Sequence, residues 1–207
     1  MDKLDKASDD ILAFILPKYV TEEGDMSAET LVCAFAALTG DQLVRHCVPL
    51  ARIEPGSKWI YNEDIDSLMY KREEDSLYII LSAGALTSGL AFAELPDMDP
   101  IIADTDDVIR EGGEQDYPPL SVADYSYPHE WSPNVAVRYR YDIDGILLKH
   151  KIKGEEKVIA CALATSKMIK AAAEETGDPY LFLLLALEML AGVSRMVPLK
   201  QEIPALW

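Results

Sequence analysis

The sequence has few of the residues from which catalytic and metal sites are usually built. Its 207 residues include only three histidines, which lie far apart and belong to no HExxH or Cys/His cluster. It contains neither GxSxG nor SxxK, and neither of the glycine-rich nucleotide loops GxGxxG and GxxxxGK[ST]. We therefore predict no metal ion and no cofactor, assign no catalytic residue and favour a non-enzyme. Enzymatic activity stays open, because a catalytic triad needs no sequence proximity.

Cations are also scarce, since 19 Lys and Arg stand against 36 Asp and Glu and give a net charge of −17. This balance argues against binding to nucleic acid or to an anionic membrane. The apolar run from Tyr180 to Leu187 is too short for a transmembrane helix, which needs roughly 20 residues. The start, MDKLDKASDD, lacks the basic and apolar regions of a secretory signal.

Cysteine is limited to Cys33, Cys47 and Cys161, an odd number without a CxxC pair. All three lie within apolar helical patterns, which is typical of buried thiols in a reducing compartment. Together with the missing signal, they predict a cytoplasmic protein.

The dominant apolar element is the segment 179–196, PYLFLLLALEMLAGVSRM. Gly177 should end the preceding helix, Asp178 should cap the next one, and Pro179 suits a first helical position. Apolar residues surround this helix, which predicts a central core helix or one half of a subunit interface. Glu188 either lines a pocket as a perturbed acid or lies on a polar seam that reaches solvent, and the seam is favoured.

The segment 135–152, VAVRYRYDIDGILLKHKI, alternates apolar and polar residues around an Asp144-Gly145 turn. This pattern predicts a β-hairpin in a small sheet. In the predicted register one face carries four cations, which require anions nearby because like charges opposite one another destabilise a sheet. These cations are Arg138, Arg140, Lys149 and Lys151. The acidic loop of the chain is the favoured source of these anions, and a bound phosphate or carboxylate ligand is the second.

We predict a single domain, 1–207, with a predominantly helical α+β fold of about six helices around a C-terminal antiparallel helical hairpin. Its N-terminal part, 1–93, should be helical, including a helix capped by Ser76. Residues 94–134 are acidic and rich in proline and aromatic residues, and are predicted to form a long irregular connection. The last part, 135–207, should hold the β-hairpin and the helical hairpin.

Two functions from different classes are consistent with these observations. The favoured one is a non-catalytic, cytoplasmic protein-binding or accessory module, with a protein partner or a homodimer through 155–196. The alternative is an enzyme or small-molecule binder for an anionic ligand, which would use the loop 117–134 and the basic hairpin face. In addition to the four cations, its candidate ligand-binding residues are Asp124, His129, Glu130 and Trp131.

Overall fold

Helices form all of the regular secondary structure in the part of the chain that the structure describes. A computed structural model describes residues 2–20, 26–49, 51, 53–54, 57–72, 74–112 and 117–198. Within these residues the α-helices are α1 (Lys3–Ile15), α2 (Ala28–Cys47), α3 (Glu63–Asp66), α4 (Leu77–Thr87), α5 (Met98–Arg110), α6 (Ser132–Lys149), α7 (Glu155–Thr176) and α8 (Pro179–Arg195). A π-helical turn, Ser67–Lys71, follows α3, and short 3-10 turns lie at Leu16–Lys18, Phe92–Glu94 and Asp124–Ser126.

Helix α8 lies at the centre of the fold, as the sequence predicts. The Asp178 side chain caps it by accepting a hydrogen bond from the Leu181 amide at 2.9 Å, and Pro179 occupies its first position. Gly177 ends α7 in the left-handed conformation with φ of 84°. Helices α2, α4, α5 and α7 all pack against α8. Every residue of α8 from 185 to 195 is buried.

Two glycines allow the helices around α8 to approach closely. A Cβ atom at Gly40 would lie 2.9 Å from the Cβ of Val193, so α2 can approach α8 only without a side chain at this position. A Cβ atom at Gly84 would overlap the carbonyl oxygen of Ser166, which lies on α7. Helix α4 is therefore held directly against the α7 main chain.

The predicted β-hairpin at 135–152 is wrong, and with it the α+β fold class. The segment forms helix α6, and the described residues contain no strand beyond one isolated antiparallel bridge between Trp59 and Met196. Residues 135, 136, 143 and 147 are buried, which is helical spacing. The adjacent residues 135 and 136 would face opposite sides of a strand, so their joint burial does not fit the alternation that the sequence suggested.

Pairing with α2 favours the helix. Arg140 and Asp144, four residues apart on α6, face α2 together, where Asp41 and Arg45 pair with them.

The segment 94–134, predicted to be irregular, contains α5. Asp97 caps this helix by accepting a hydrogen bond from the Asp99 amide at 3.0 Å. Residues 98, 101, 105 and 109 are buried at helical spacing, and α5 packs on α8. The acidic residues of α5 obscured its apolar period, because Asp99, Asp104 and Asp107 lie on its exposed side and Pro100 lies near its start.

Replacing Gly145 by alanine distinguishes the helix from the turn that the sequence predicted. In α6 the position is exposed and a Cβ atom there would contact nothing within 4 Å, so we expect Gly145→Ala to stabilise the protein by about 0.5–1 kcal/mol. A hairpin turn with positive φ would instead be destabilised. Denaturant unfolding measures the change. Gly177→Ala, at a left-handed helix end, is the control and should cost about 1–2 kcal/mol.

Two neighbouring leucines in α8 test its burial. Leu185 is fully buried and Leu184 is half-buried. We expect Leu185→Ala to cost about 2–5 kcal/mol of unfolding free energy and Leu184→Ala to cost clearly less. Equal losses at both positions in denaturant melts would contradict the orientation of the helix.

Candidate functional site

The four cations predicted to form one basic face do not converge on α6. Arg138 pairs with Glu130, which precedes the helix, and Arg140 binds Asp41 of α2 through two contacts of 2.5 and 3.1 Å. The Asp41 and Arg140 side chains are only 6% and 11% exposed, so this pair belongs to the packing between α2 and α6.

The other two cations lie at the far end of α6. Lys149 and His150 both contact the Asp10 carboxylate at 2.8 Å and so join α6 to α1. Lys151 follows the helix with φ of 58° and is exposed. The face on which the four cations were predicted to meet depended on the hairpin register, and this register does not exist in the fold.

The predicted loop residues also have separate environments. Asp124 begins a 3-10 turn and is exposed. The His129 amide donates to the Thr30 hydroxyl at 2.9 Å, and Glu130 accepts a hydrogen bond from the Tyr19 hydroxyl at 3.0 Å. The Trp131 indole donates to the main-chain carbonyl of Tyr117 at 2.9 Å. These contacts attach the loop to the helices, and a ligand-binding role for the predicted residues stays a prediction.

Glu188 anchors this loop to α8. Its carboxylate accepts hydrogen bonds from the Ser121 amide at 3.1 Å and from the Ser121 hydroxyl at 2.5 Å. It is 5% exposed and lies at the side of a cleft of about 300 Å³ that Asp104 and Asp107 also line. The favoured interpretation, a polar seam open to solvent, is therefore wrong at this residue.

Burial is the largest influence on the pKa of the Glu188 carboxyl and, together with the nearby Asp104 carboxylate, raises it above its ordinary value despite the hydrogen bonds from Ser121, which lower it. A carboxyl whose pKa is higher in the folded state contributes stability below its unfolded pKa. It loses this contribution as the pH rises through the folded pKa.

We therefore expect Glu188→Gln to become more stable relative to the wild type as the pH rises above the ordinary pKa of a glutamate. The difference in unfolding free energy should grow by about 1.4 kcal/mol for each unit by which the folded-state pKa is raised. The glutamine oxygen can still accept from Ser121. Urea melts across pH 4–8 measure the difference. Asp107→Asn, which removes a 61% exposed charge from the same cleft, is the control. A constant difference between Glu188→Gln and the wild type would contradict the effect of burial.

The three cysteines are free thiols. Burial raises the pKa of Cys47 to about 11 and that of Cys161 to about 12, and it raises the pKa of Cys33 as well. A thiol is reactive as the thiolate, so none of the three is activated at neutral pH.

Helix α4 has a surface that the sequence interpretation missed. Its sequence, LYIILSAGALT, has no charged residue and no polar side. Leu77, Leu81 and Ala85 on one side are fully buried against the core. The opposite side is equally apolar but faces outward, where Ile79 is 38% exposed and Ala83 is exposed.

This outward side of α4 borders a groove of about 410 Å³. The 3-10 turn after α4 places Phe92 beside it, and the Phe92 side chain is 81% exposed. We call this surface the α4 face, and its apolar lining consists of Tyr70, Tyr78, Ile79, Leu86, Phe92 and Leu95. Because large apolar side chains here are grouped rather than scattered, the α4 face is typical of an interaction surface.

Acidic residues flank both ends of the α4 face. Glu74 and Asp75 precede α4 and are exposed, and Glu94 and Asp97 follow Phe92 and are also exposed. The Tyr78 hydroxyl donates to the Pro96 carbonyl at 3.0 Å, which brings the 96–97 segment to the groove.

Arg72 also lines the groove, but its charge is paired. The guanidinium contacts Glu155 at 2.8 Å and Asp75 at 3.8 Å. Lys71 is exposed, and its ammonium lies 5.5 Å from the centre of the Tyr70 ring. The α4 face is therefore an apolar groove around which four exposed carboxylates outnumber the two cations.

The sequence contained a signal for the α4 face. A helix that is apolar on every side requires cover on every side, and the sequence predicts such a helix at α8. Helix α4 meets the same criterion over eleven residues, but it lies at the periphery, so its outer side is left uncovered by the described part of the chain.

Among the described residues, no three His, Cys, Asp or Glu side chains are grouped so that they could hold a metal ion. None of the helices in this part of the chain has both the length and the apolar character needed to cross a membrane. Compared with protein-family models, with curated proteins and with solved structures, the chain matches none of them.

Proposed function

We propose that this protein is a non-catalytic binding module whose α4 face receives the apolar side chains of a protein partner. The observation that carries the proposal is the exposure of Phe92 and Ile79 on the rim of one apolar groove, at 81% and 38%. Isolated apolar residues are common on protein surfaces, whereas a grouped set around a groove is typical of a binding site.

The charges favour a basic amphipathic segment as the partner. Four carboxylates surround the α4 face, and the chain as a whole carries a net charge of −17. A helix with apolar side chains at i, i+3 and i+4 and with flanking Lys or Arg would fill the groove and complement the surround. A second copy of this chain would instead bring its own carboxylates against these four.

The proposed partner surface, the α4 face, lies outside the segment 155–196. In α8 only Tyr180, at its start, is an exposed large apolar residue, at 44%. A helix that its own chain already covers has little apolar area to bury against a second copy. A homodimer through 155–196 therefore receives less support, while α4 retains an uncovered apolar side.

The alternative function, binding of an anionic ligand on a basic hairpin face, receives less support. Its four cations lie along a helix and at its end, and Arg138, Arg140 and Lys149 have carboxylate partners within the chain. We further propose a cytoplasmic location, because three free thiols suit a reducing compartment.

Direct binding to a synthetic peptide tests the proposed function. The probe is a fluorescein-labelled amphipathic peptide of leucine and lysine, about 18 residues or five helical turns long, and its control replaces lysine by glutamate. We expect saturable binding of the lysine peptide by fluorescence anisotropy and none of the glutamate peptide. Phe92→Ser and Ile79→Ser should each weaken binding by about tenfold or more, as the loss of a central apolar contact implies.

Two further variants make this test specific. Leu148→Ser changes an equally exposed apolar residue, 72% exposed on α6, and should leave the affinity unchanged. Combining Asp75→Asn with Glu94→Gln should weaken binding and reduce its dependence on salt. Equal effects of Leu148→Ser and Phe92→Ser would exclude the α4 face as the site, and dimerisation that Phe92→Ser abolishes would show that a second copy is the occupant.

A further inference from the structure

A cavity of about 470 Å³ lies at the C-terminal end of α8, away from the α4 face. It is lined by Ser57, Lys58, Trp59, Tyr117, Trp131, Met196 and Val197. Its volume is within the roughly 300–1,000 Å³ of pockets that hold small organic molecules. Most of the lining is apolar, and three of the seven residues are aromatic.

Main-chain pairing forms one wall of this cavity. The segment 58–60 runs antiparallel to 195–197, with the Ile60 amide donating to the Arg195 carbonyl at 2.8 Å and the Val197 amide donating to the Lys58 carbonyl at 2.9 Å. This pairing fixes Trp59 opposite Met196. The wall is therefore built on the end of the central helix, whose preceding residues are buried.

Tyr117 lines the cavity and is 4% exposed. Its hydroxyl donates to the Gly192 carbonyl of α8 at 2.7 Å. The next residue, Pro118, packs so closely on Gly192 that a Cβ atom there would overlap the proline ring. Tyr117 is thus fixed against α8 by the hydrogen bond of its hydroxyl and by the packing of the next residue in the chain.

The two tryptophans complete the aromatic lining. The Trp59 ring lies 4.6 Å from the Tyr117 ring between centroids, at an angle of 59°. The Trp131 indole donates to the Tyr117 carbonyl at 2.9 Å, and its side chain is 43% exposed at the mouth. Because the Tyr117 hydroxyl and the Trp131 indole N–H are already bonded to main-chain carbonyls, these two rings offer the cavity their faces and edges.

We propose that this cavity binds a planar aromatic small molecule of one or two fused rings. Fixed aromatic rings recognise such a molecule by stacking and edge-to-face contact, which a saturated ring cannot reproduce. The hydroxyl of Ser57, a polar residue of the lining, would then orient a hydroxyl or similar substituent. This site is independent of the α4 face, so either proposal can fail without the other.

Titration calorimetry with 2-naphthol tests the inference, and the saturated counterpart decahydro-2-naphthol tests the role of aromaticity. We expect saturable binding of 2-naphthol at one site with a dissociation constant below about 1 mM, and at least about tenfold weaker binding of the saturated alcohol. Trp131→Leu should weaken binding of 2-naphthol by about tenfold, and Trp131→Phe should recover part of the loss.

Two further variants distinguish loss of the binding site from a general disturbance of the fold. Val197→Phe narrows the cavity without replacing any of its aromatic residues, and it should weaken binding while the melting temperature stays close to that of the wild type. Tyr125→Leu alters an aromatic residue of the same loop that is 89% exposed and outside the cavity, and it should bind like the wild type. No binding of 2-naphthol at millimolar concentration, equal binding of the saturated alcohol, or normal binding by Val197→Phe would overturn the inference.

Discussion

The rest of the structure depends on the burial of α8. The large apolar side chains of α8 stabilise the protein only when other elements cover them, because each one left exposed forgoes about 1.5–3 kcal/mol. Helices α2, α4, α5 and α7 provide this cover. The small residues Gly40 and Gly192 let other parts of the chain reach the α8 surface at main-chain distance. The positions of α2 and of the loop after Tyr117 follow from these two contacts.

The polar residues of α8 determine how its neighbours dock. Arg195 is 2% exposed and binds Asp66 of α3 at 2.7 Å and Asp106 of α5 at 3.4 Å, while Glu188 holds the loop at Ser121. A buried charge whose partner is removed costs several kcal/mol, so alternative packings that separate these groups are disfavoured. Glu188 and Arg195 are seven residues apart and lie on nearly the same side of α8, but each binds a different neighbour. Apolar burial supplies the stability here, and these contacts specify the arrangement.

Local signals in the sequence predicted the helical hairpin of α7 and α8 correctly. Asp178, Pro179 and Gly177 act through groups within four residues of themselves, and such chemistry can be recognised without a fold. The segment 135–152 could not be assigned in this way. Its apolar residues fit both the period of a strand and that of a helix, and the deciding pairs of Arg140 with Asp41 and Asp144 with Arg45 join residues about 99 positions apart. The predicted convergence of the four cations was wrong for the same reason, because they were placed on one face by a register that only long-range contacts could have tested. The apolar character of α4 was visible in the sequence, but which side of it faces outward depends on where α7 lies.

The contact between Gly84 and α7 has a consequence for how α4 tolerates change. On its inner side even one added carbon atom would meet the Ser166 carbonyl, whereas on its outer side Ile79 and Ala83 have solvent beside them. The two sides of α4 therefore differ in the substitutions that they tolerate. Packing restricts the residues on the inner side but not those on the outer side. A laboratory could redesign the outer side extensively, with charged or bulky residues, and still recover the same backbone. Folding therefore does not require the outer side of α4 to be apolar.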